Sequence, residues 1–581
     1  MKYCLLPVSL LVISSFAQNQ PAWVQKSNRN AQLLIEIEAR YSPENAARGG
    51  VPGLDDQISV LSADRTARRR QDIRDAKKEL ETRWAAETDP LVRQDLQILV
   101  DTADMEIRLS EANENNVLPY FNAPAAIYSG LTALLDDQVA PERRHSALTR
   151  LRKYTGMEQG FTPITLQAEG RYREKLKTPG LVGYSRLSVE KNLENTNAFL
   201  TGIGLLFEKY KIEGYQAPFA KLKEQLTAYD EFVRQEVLPK TRADFRLPPA
   251  LYTIALEQYG VDFTPAELTR RAHEGFAEIQ AEMKPVAAKI AKEKKLPSAD
   301  YRDVVAYLKK DQIPGDQVLP VYQKRLAEIE EIIRREHLVT LPERAAIIRI
   351  ASAAETAQQP APHMEPPPLM NNHGERGQFV LPLETTGQGG KTLKYDDFNF
   401  DAASWTLIAH EARPGHELQF DAMVERGVSL ARALFAFNST NVEGWGLYSE
   451  WFTLPYMPDD GKLISLQLRL LRAARAFLDP ELQQGKVTPA QAMQVLQKDV
   501  VLSEAFATEE VERFTFRSPG QAVSYFDGYL RLREIRAAAE KALGKKLNVQ
   551  SFHDFILSQG LLPPNLLRKA VMEDFVASQR N

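Results

Sequence analysis

The chain has 581 residues, 44% hydrophobic and 26% charged, with a formal net charge of −4 at pH 7, which is ordinary for a globular protein long enough to bury a large core. So small a net charge gives no electrostatic case for nucleic acid or an anionic membrane as a partner. The single cysteine, Cys4, excludes disulfides, thiolate metal cages and cysteine catalysis from everything downstream of it.

Residues 1–17 read as a signal peptide. Met1-Lys2 is a short basic start, residues 3–16 are mostly apolar, and Ser15-Phe16-Ala17 precedes a polar run that begins at Gln18, so cleavage is expected after Ala17. The mature chain is then expected to be exported, periplasmic or secreted. No later stretch reaches the roughly 18 uncharged apolar residues of a membrane span.

Residues 18–357 read as a helical scaffold. Helix formers dominate residues 32–112, interrupted by a glycine- and proline-rich loop at 41–54. Asp89-Pro90 is an N-cap followed by proline at the first helical position, and the run Arg68-Arg69-Arg70 suits a solvated face. Further helices are expected at 141–155, 163–176, 188–212 and 215–236. Thr264-Pro265-Ala266-Glu267 opens another with a capping residue and a capping-box glutamate, and helices near 300–310 and 314–336 follow. No repeat of fixed period is visible.

Residues 358–581 form the second region, expected to pack with the first as one compact unit. Residues 358–368, QQPAPHMEPPP, are too proline-rich for a helix or a central strand, so His363 is expected at the surface. Residues 377–383 around Phe379 suit a short edge strand ending at a proline, able to hold an extended peptide by main-chain hydrogen bonds. A glycine-rich loop is expected at 385–394.

The chemistry gathers in residues 404–450. His410 and Glu411 are followed by Pro414, Gly415 and His416, then by Glu443 and Glu450 on the next helical stretch. Two histidines with a glutamate between them are the parts of a zinc peptidase site, but the usual spacing is four. Here it is six, which in an unbroken helix would turn the second ring about 120° away from the first. Pro414 removes an amide hydrogen and Gly415 tolerates unusual backbone angles, so a break that returns His416 to His410 is expected. His273-Glu274 starts in the same way, yet Ala277 stands where a second histidine would be needed. His145, His337 and His553 read as surface or core residues. The glycines on both sides of Trp445 would let the 430–454 helix approach its neighbours closely, and 480–507 reads as further helix.

HEARPGHELQ at 410–419, NVEGWGLYSE at 441–450 and PGQAVSY at 519–525 resemble the bacterial family DUF885, as do GGVPGLDDQISVLSADR near residue 50 and YGVDFTPAEL near residue 260. By similarity that family is grouped with the zinc peptidases whose third ligand is a glutamate. The resemblance implies one zinc ion held by His410, His416 and Glu443, with Glu411 as general base and a peptide as substrate. Glu450 lies two helical turns from Glu443, on the same face, and is its rival as third ligand or a support for a ligand histidine. The resemblance also puts residues 512–525 at the border of the site. Tyr525 is the candidate for stabilising negative charge on the substrate carbonyl oxygen, and Arg513 or Arg517 for binding a substrate carboxylate.

The fold class expected is mainly α, with many helices in two lobes around a deep cleft and a small β-sheet near the metal site. The activity expected is hydrolysis of short peptides. The rival is a zinc- or peptide-binding protein without catalysis, in which Glu411 would have no work. A serine hydrolase lacks support, since no G-x-S-x-G elbow is present.

Overall fold

The computed structural model describes residues 20–386 and 392–580. The expected signal segment lies outside them, and so does the middle of the expected glycine-rich loop. Helices dominate the chain, and none among the described residues is long and apolar enough to cross a membrane.

Three long helices open the described chain, α1 (Ala22–Tyr41), α2 (Arg65–Ala86) and α3 (Pro90–Asn116), and a short one, Pro43–Arg48, lies within the expected 41–54 loop. Asp89 caps α3 as expected, its carboxylate accepting from the amides of Leu91 and Val92 at 2.9 and 3.3 Å. Leu34 and Ile35 of α1, Ile73 and Leu80 of α2, and Leu96 and Leu99 of α3 share one apolar core. The arginine run of α2 is less solvent-facing than expected. Arg69 reaches Glu38 and Glu106, and Arg70 reaches Glu114, so two of the three join neighbouring helices. A second core is built by the helices between residues 123 and 237, close to their expected positions.

The main core draws on both sides of residue 357, from Tyr252 and Ile279 to Leu470 and Ile556. It contains α4 (Pro265–Lys294), α5 (Gly315–Arg335), α6 (Asp401–Glu411), α7 (His416–Arg426), α8 (Ser439–Thr453), α9 (Asp459–Gln483), α10 (Glu504–Glu512), α11 (Ser524–Leu543) and α12 (Val549–Ser558). Thr264 caps α4, accepting from the Glu267 amide at 3.3 Å. The expected capping box does not close, because Glu267 turns outward to Arg270 and Arg271 at 2.7 and 2.8 Å.

The expected 430–454 helix is in fact two pieces. A π-helical turn, Ala431–Phe435, ends before Asn438, whose side chain accepts from the Asn441 amide at 2.7 Å and starts α8 afresh. The stretch 480–507 is helical in separate pieces. Pro480 lies inside α9, a short helix Pro489–Gln494 runs into a π-helical turn Val495–Asp499, and α10 begins at Glu504.

A small sheet stands beside the helices: β1 (Ile347–Ile350), β2 (His363–Glu365) and β3 (Gln378–Leu381), in the order β1-β3-β2. β3 pairs parallel with β1 and antiparallel with β2. It is therefore the central strand and not the expected edge, and the proline-rich segment supplies an edge strand where a surface crossing was expected. Part of the expected glycine-rich loop is also strand, β4 (Glu384–Thr386) pairing antiparallel with β5 (Thr392–Lys394).

The N-terminal helices are joined to the main body through Asp95 of α3, which is fully buried. Its carboxylate accepts from Ser27 Oγ at 2.6 Å, from Ser429 Oγ, and from Arg432 Nε at 2.8 Å. Arg432 is itself buried and donates to Gln94 and Gln559. Asp95→Ala leaves that guanidinium without its carboxylate and is expected to cost about 3–5 kcal/mol, whereas Ser27→Ala should cost only about 1 kcal/mol. Urea denaturation of the two variants measures the difference.

Candidate metal centre

Helix α6 runs to Glu411 and stops. Ala412 has φ −100° and ψ −102°, the Arg413-Pro414 peptide bond is cis, and Gly415 has φ −77° and ψ −133° before α7 starts at His416. Only glycine fits at 415, because a Cβ there would lie 1.8 Å from the His410 carbonyl oxygen. The break is clamped by Arg413, which is buried and donates to Glu417 Oε2 at 2.6 Å, to Glu330 Oε1 at 2.8 Å and to the Arg344 carbonyl. The outcome is the expected one. The His410 and His416 rings meet edge to face, 4.7 Å between centroids.

Helix α8 brings in Glu443. Its Oε2 lies 3.4 Å from His410 Nε2 and 3.3 Å from His416 Nε2. Trp445 Nε1 donates to the Pro414 carbonyl at 3.0 Å, tying α8 to the break. Gly446 makes room for the first ring, since a Cβ there would sit 2.7 Å from His410 Cε1. Farther along the contact, Gly444 faces Gly528 of α11, where a Cβ would lie 1.9 Å from the Thr440 carbonyl oxygen. That close crossing brings Tyr525, on the first turn of α11, beside the histidines.

The two glutamates of α8 divide the work. Glu450 is fully buried, accepts from Thr406 Oγ1 at 2.7 Å, lies 2.7 Å from His410 Nδ1 and pairs with Arg472 at 3.3 Å. It orients His410 from behind so that Nε2 is the nitrogen presented to Glu443. Burial opposes the charge on His410, but Glu443 and Glu450 outweigh it and hold the ring up to about 9. Burial likewise opposes ionisation of Glu443, and the two histidines overcome it, holding its carboxyl well below the usual range. Glu443 Oε2 is buried and has no hydrogen-bond partner among the described residues. Two imidazole nitrogens and one such carboxylate oxygen are a donor set suited to a cation. Glu411, with 8% exposure, brings a carboxylate oxygen within 4.8 Å of one ring nitrogen of each histidine.

Behind Tyr525 stands a wall of charge of which only Arg513 was expected from the sequence. Tyr525 stacks on His410 at 6.2 Å and 12° between planes. Arg475 lies over its ring, 4.5 Å from the centroid, and Arg513 Nη1 donates to its hydroxyl at 3.2 Å. Arg475 in turn is gripped by both oxygens of Glu510. Arg472 and Arg475 sit in α9, almost all of which is buried. The signal was present in the sequence: arginines at 469, 472 and 475 within an otherwise apolar run, where a cation needs a buried partner.

Other candidates fare differently. Arg513 is held by Glu509 at 3.2 Å and by Tyr525, so it positions the phenol. Arg517 is paired with Glu512 at 2.8 Å. Phe379 is fully buried against Tyr322 and is a core residue, not a substrate contact, because β3 is the middle strand. His363 is mostly buried, contrary to expectation. Its Nδ1 lies 2.9 Å from the Ala361 carbonyl oxygen, and although burial opposes its charge, Glu365 beside it and the nearby Glu411 raise its pKa. His273 stacks on Phe477 and His553 is buried against Tyr448 and the Leu338 carbonyl, both away from the cluster.

The chain belongs to the family described as bacterial protein of unknown function (DUF885), whose profile matches residues 43–571. No curated protein matches it. Its fold is shared with a lipoprotein candidate of unknown function from Shewanella oneidensis, at 18% identity and a TM-score of 0.68, covering 95% of this chain and 100% of that one. A lipoprotein candidate from Colwellia psychrerythraea is similar at 16% identity and a TM-score of 0.76, covering 95% and 99%.

Replacing an exposed helical glycine by alanine ordinarily gains up to about 1 kcal/mol. Gly446→Ala should do the reverse, losing about 1–3 kcal/mol by driving a methyl group into the His410 ring. A rise in the urea midpoint would show that the ring is not against α8.

Proposed function

We propose that this member of the DUF885 family is a zinc-dependent peptidase acting on short peptides outside the cytoplasm. The observation that carries the reading is the meeting of His410 Nε2, His416 Nε2 and Glu443 Oε2. Tetrahedral zinc with ligands at about 2.0–2.1 Å separates neighbouring donor atoms by about 3.4 Å, and Glu443 Oε2 stands 3.4 and 3.3 Å from the two nitrogens. The donor set is histidine and carboxylate, which suits zinc, and the buried oxygen of Glu443, satisfied by no hydrogen bond among the described residues, is a further argument that a cation belongs there. Glu450 on His410 is the outer carboxylate that orients a ligand histidine in such sites.

Zinc held by these three residues would supply Lewis acidity and a water nucleophilic at neutral pH. Glu411 would serve as the general base, holding the proton released by an attacking water and passing it to the leaving amine, a role worth about 10²- to 10⁴-fold in rate. Tyr525 faces the developing charge on the carbonyl oxygen. Because its own oxygen accepts from Arg513, its proton is free to be donated to the substrate. The edge strands of the sheet are β1 and β2, not β3, and His363 on β2 feels the charge of Glu411. An extended peptide pairing with β2 would place its backbone beside the base. The apolar start of the chain, read as a signal peptide, and the two lipoprotein candidates of the same fold support export.

Purified mature protein is expected to hold about one zinc per chain and to cleave members of a peptide library read by mass spectrometry. Glu411→Gln should keep the metal and lose turnover by at least about 10²-fold. His410→Ala should lose both, and Glu450→Gln should weaken zinc binding about 10- to 100-fold. Unchanged hydrolysis by Glu411→Gln would refute the assigned base; a zinc-loaded protein with no activity on any peptide would favour the binding-only reading.

A further inference from the structure

A cavity of about 630 Å³ opens among α4, the end of α8, α9 and α11, and neither His410, His416 nor Glu443 lines it. Arg469 lies in its wall, with a side chain only 3% exposed. Its Nε and Nη2 are buried without a hydrogen-bond partner. The carboxylate nearest to it, Glu282, stands 3.8 Å from Nη1 on an exposed side chain. A second lining cation, Arg533, makes its contacts with aromatic groups among the described residues: it lies over Trp451 at 4.1 Å and donates to Tyr529 Oη at 2.6 Å. Both guanidiniums face the Tyr529 ring, 5.4 and 5.5 Å from its centroid.

The remaining lining arginines are matched. Arg270 pairs with Glu274, Arg271 with Glu534 and Arg536 with Glu540. A buried guanidinium without a close counter-charge is costly, and an oxyanion completes it with strong charge-assisted hydrogen bonds. Trp451, Phe526 and Leu530 add an apolar surface, and the volume is that of a small-molecule site. The exposed glutamates 278 and 282 at the rim repel a ligand of high negative charge.

We propose that this cavity binds a small monocarboxylate with an aromatic or apolar body, the carboxylate between Arg469 and Arg533 and the body against Trp451 and Phe526. The site is separate from the metal centre and stands whether or not the peptidase reading holds.

Phenylacetate is the probe, titrated by calorimetry into the full mature chain. Saturable binding is expected, at least about tenfold tighter than that of neutral 2-phenylethanol, consistent with a charge-assisted contact. Inorganic triphosphate should bind more weakly than phenylacetate. Arg469→Gln and Arg533→Gln should each weaken phenylacetate at least about fivefold, and His416→Ala should leave it unchanged, which separates this cavity from the metal centre. No saturable binding, an unchanged affinity in Arg533→Gln, a loss in His416→Ala, or triphosphate binding as tightly as phenylacetate each overturns the proposal. Should Arg469→Gln not fold, Arg533→Gln, at the more open side of the cavity, decides alone.

Discussion

The approach of the chain at residue 415 to the carbonyl of His410 is the constraint on which the site depends. Two imidazoles six residues apart cannot meet on one regular helix. They meet here because the backbone folds back on itself within four residues, and only a residue without a side chain permits it. Everything around the break holds that shape. Arg413 reaches α5 and the Arg344 carbonyl, and the Trp445 indole holds the Pro414 carbonyl. A single substitution at 415 would therefore disturb both the spacing of the rings and the seat of α8.

The second determinant is a relay of buried charge. His410 leans on Glu450, Glu450 on Arg472, and one turn later Arg475 and Glu510 support the ring of Tyr525. Charges this deep are tolerated because each has a partner. The relay lies on α9 and α10, elements with no motif of their own. It gives a physical reason for a highly apolar helix to contain Arg472 and Arg475.

Much of the fold was legible because its signals are local. Asp89-Pro90 and Thr264-Pro265 mark helix starts by side-chain chemistry that does not depend on distant residues. The break between α6 and α7 was legible for the same reason, from proline and glycine between the histidines. The sheet was misread because centrality is not local. Phe379 became a core residue only when the proline-rich segment added β2 on its free side. The 430–454 stretch was misread because its apolar periodicity continues across Asn438, while the cap that ends one helix and begins another is a single side chain. The choice between Glu443 and Glu450 could not be made from periodicity, since both share a face. Only the folded contacts separate them: Thr406 and Arg472 engage Glu450, while Glu443 faces both rings.

The junction at Asp95 has a consequence for the order of assembly. Its partners Ser429 and Arg432 lie 334 and 337 residues further along, so a ribosome delivers the first three helices long before the groups that satisfy their buried acid. Contacts of such sequence separation form slowly. Until the distal half emerges, the leading segment is an unfinished surface that invites association with other chains, and its maturation is tied to completion of the carboxyl-terminal body.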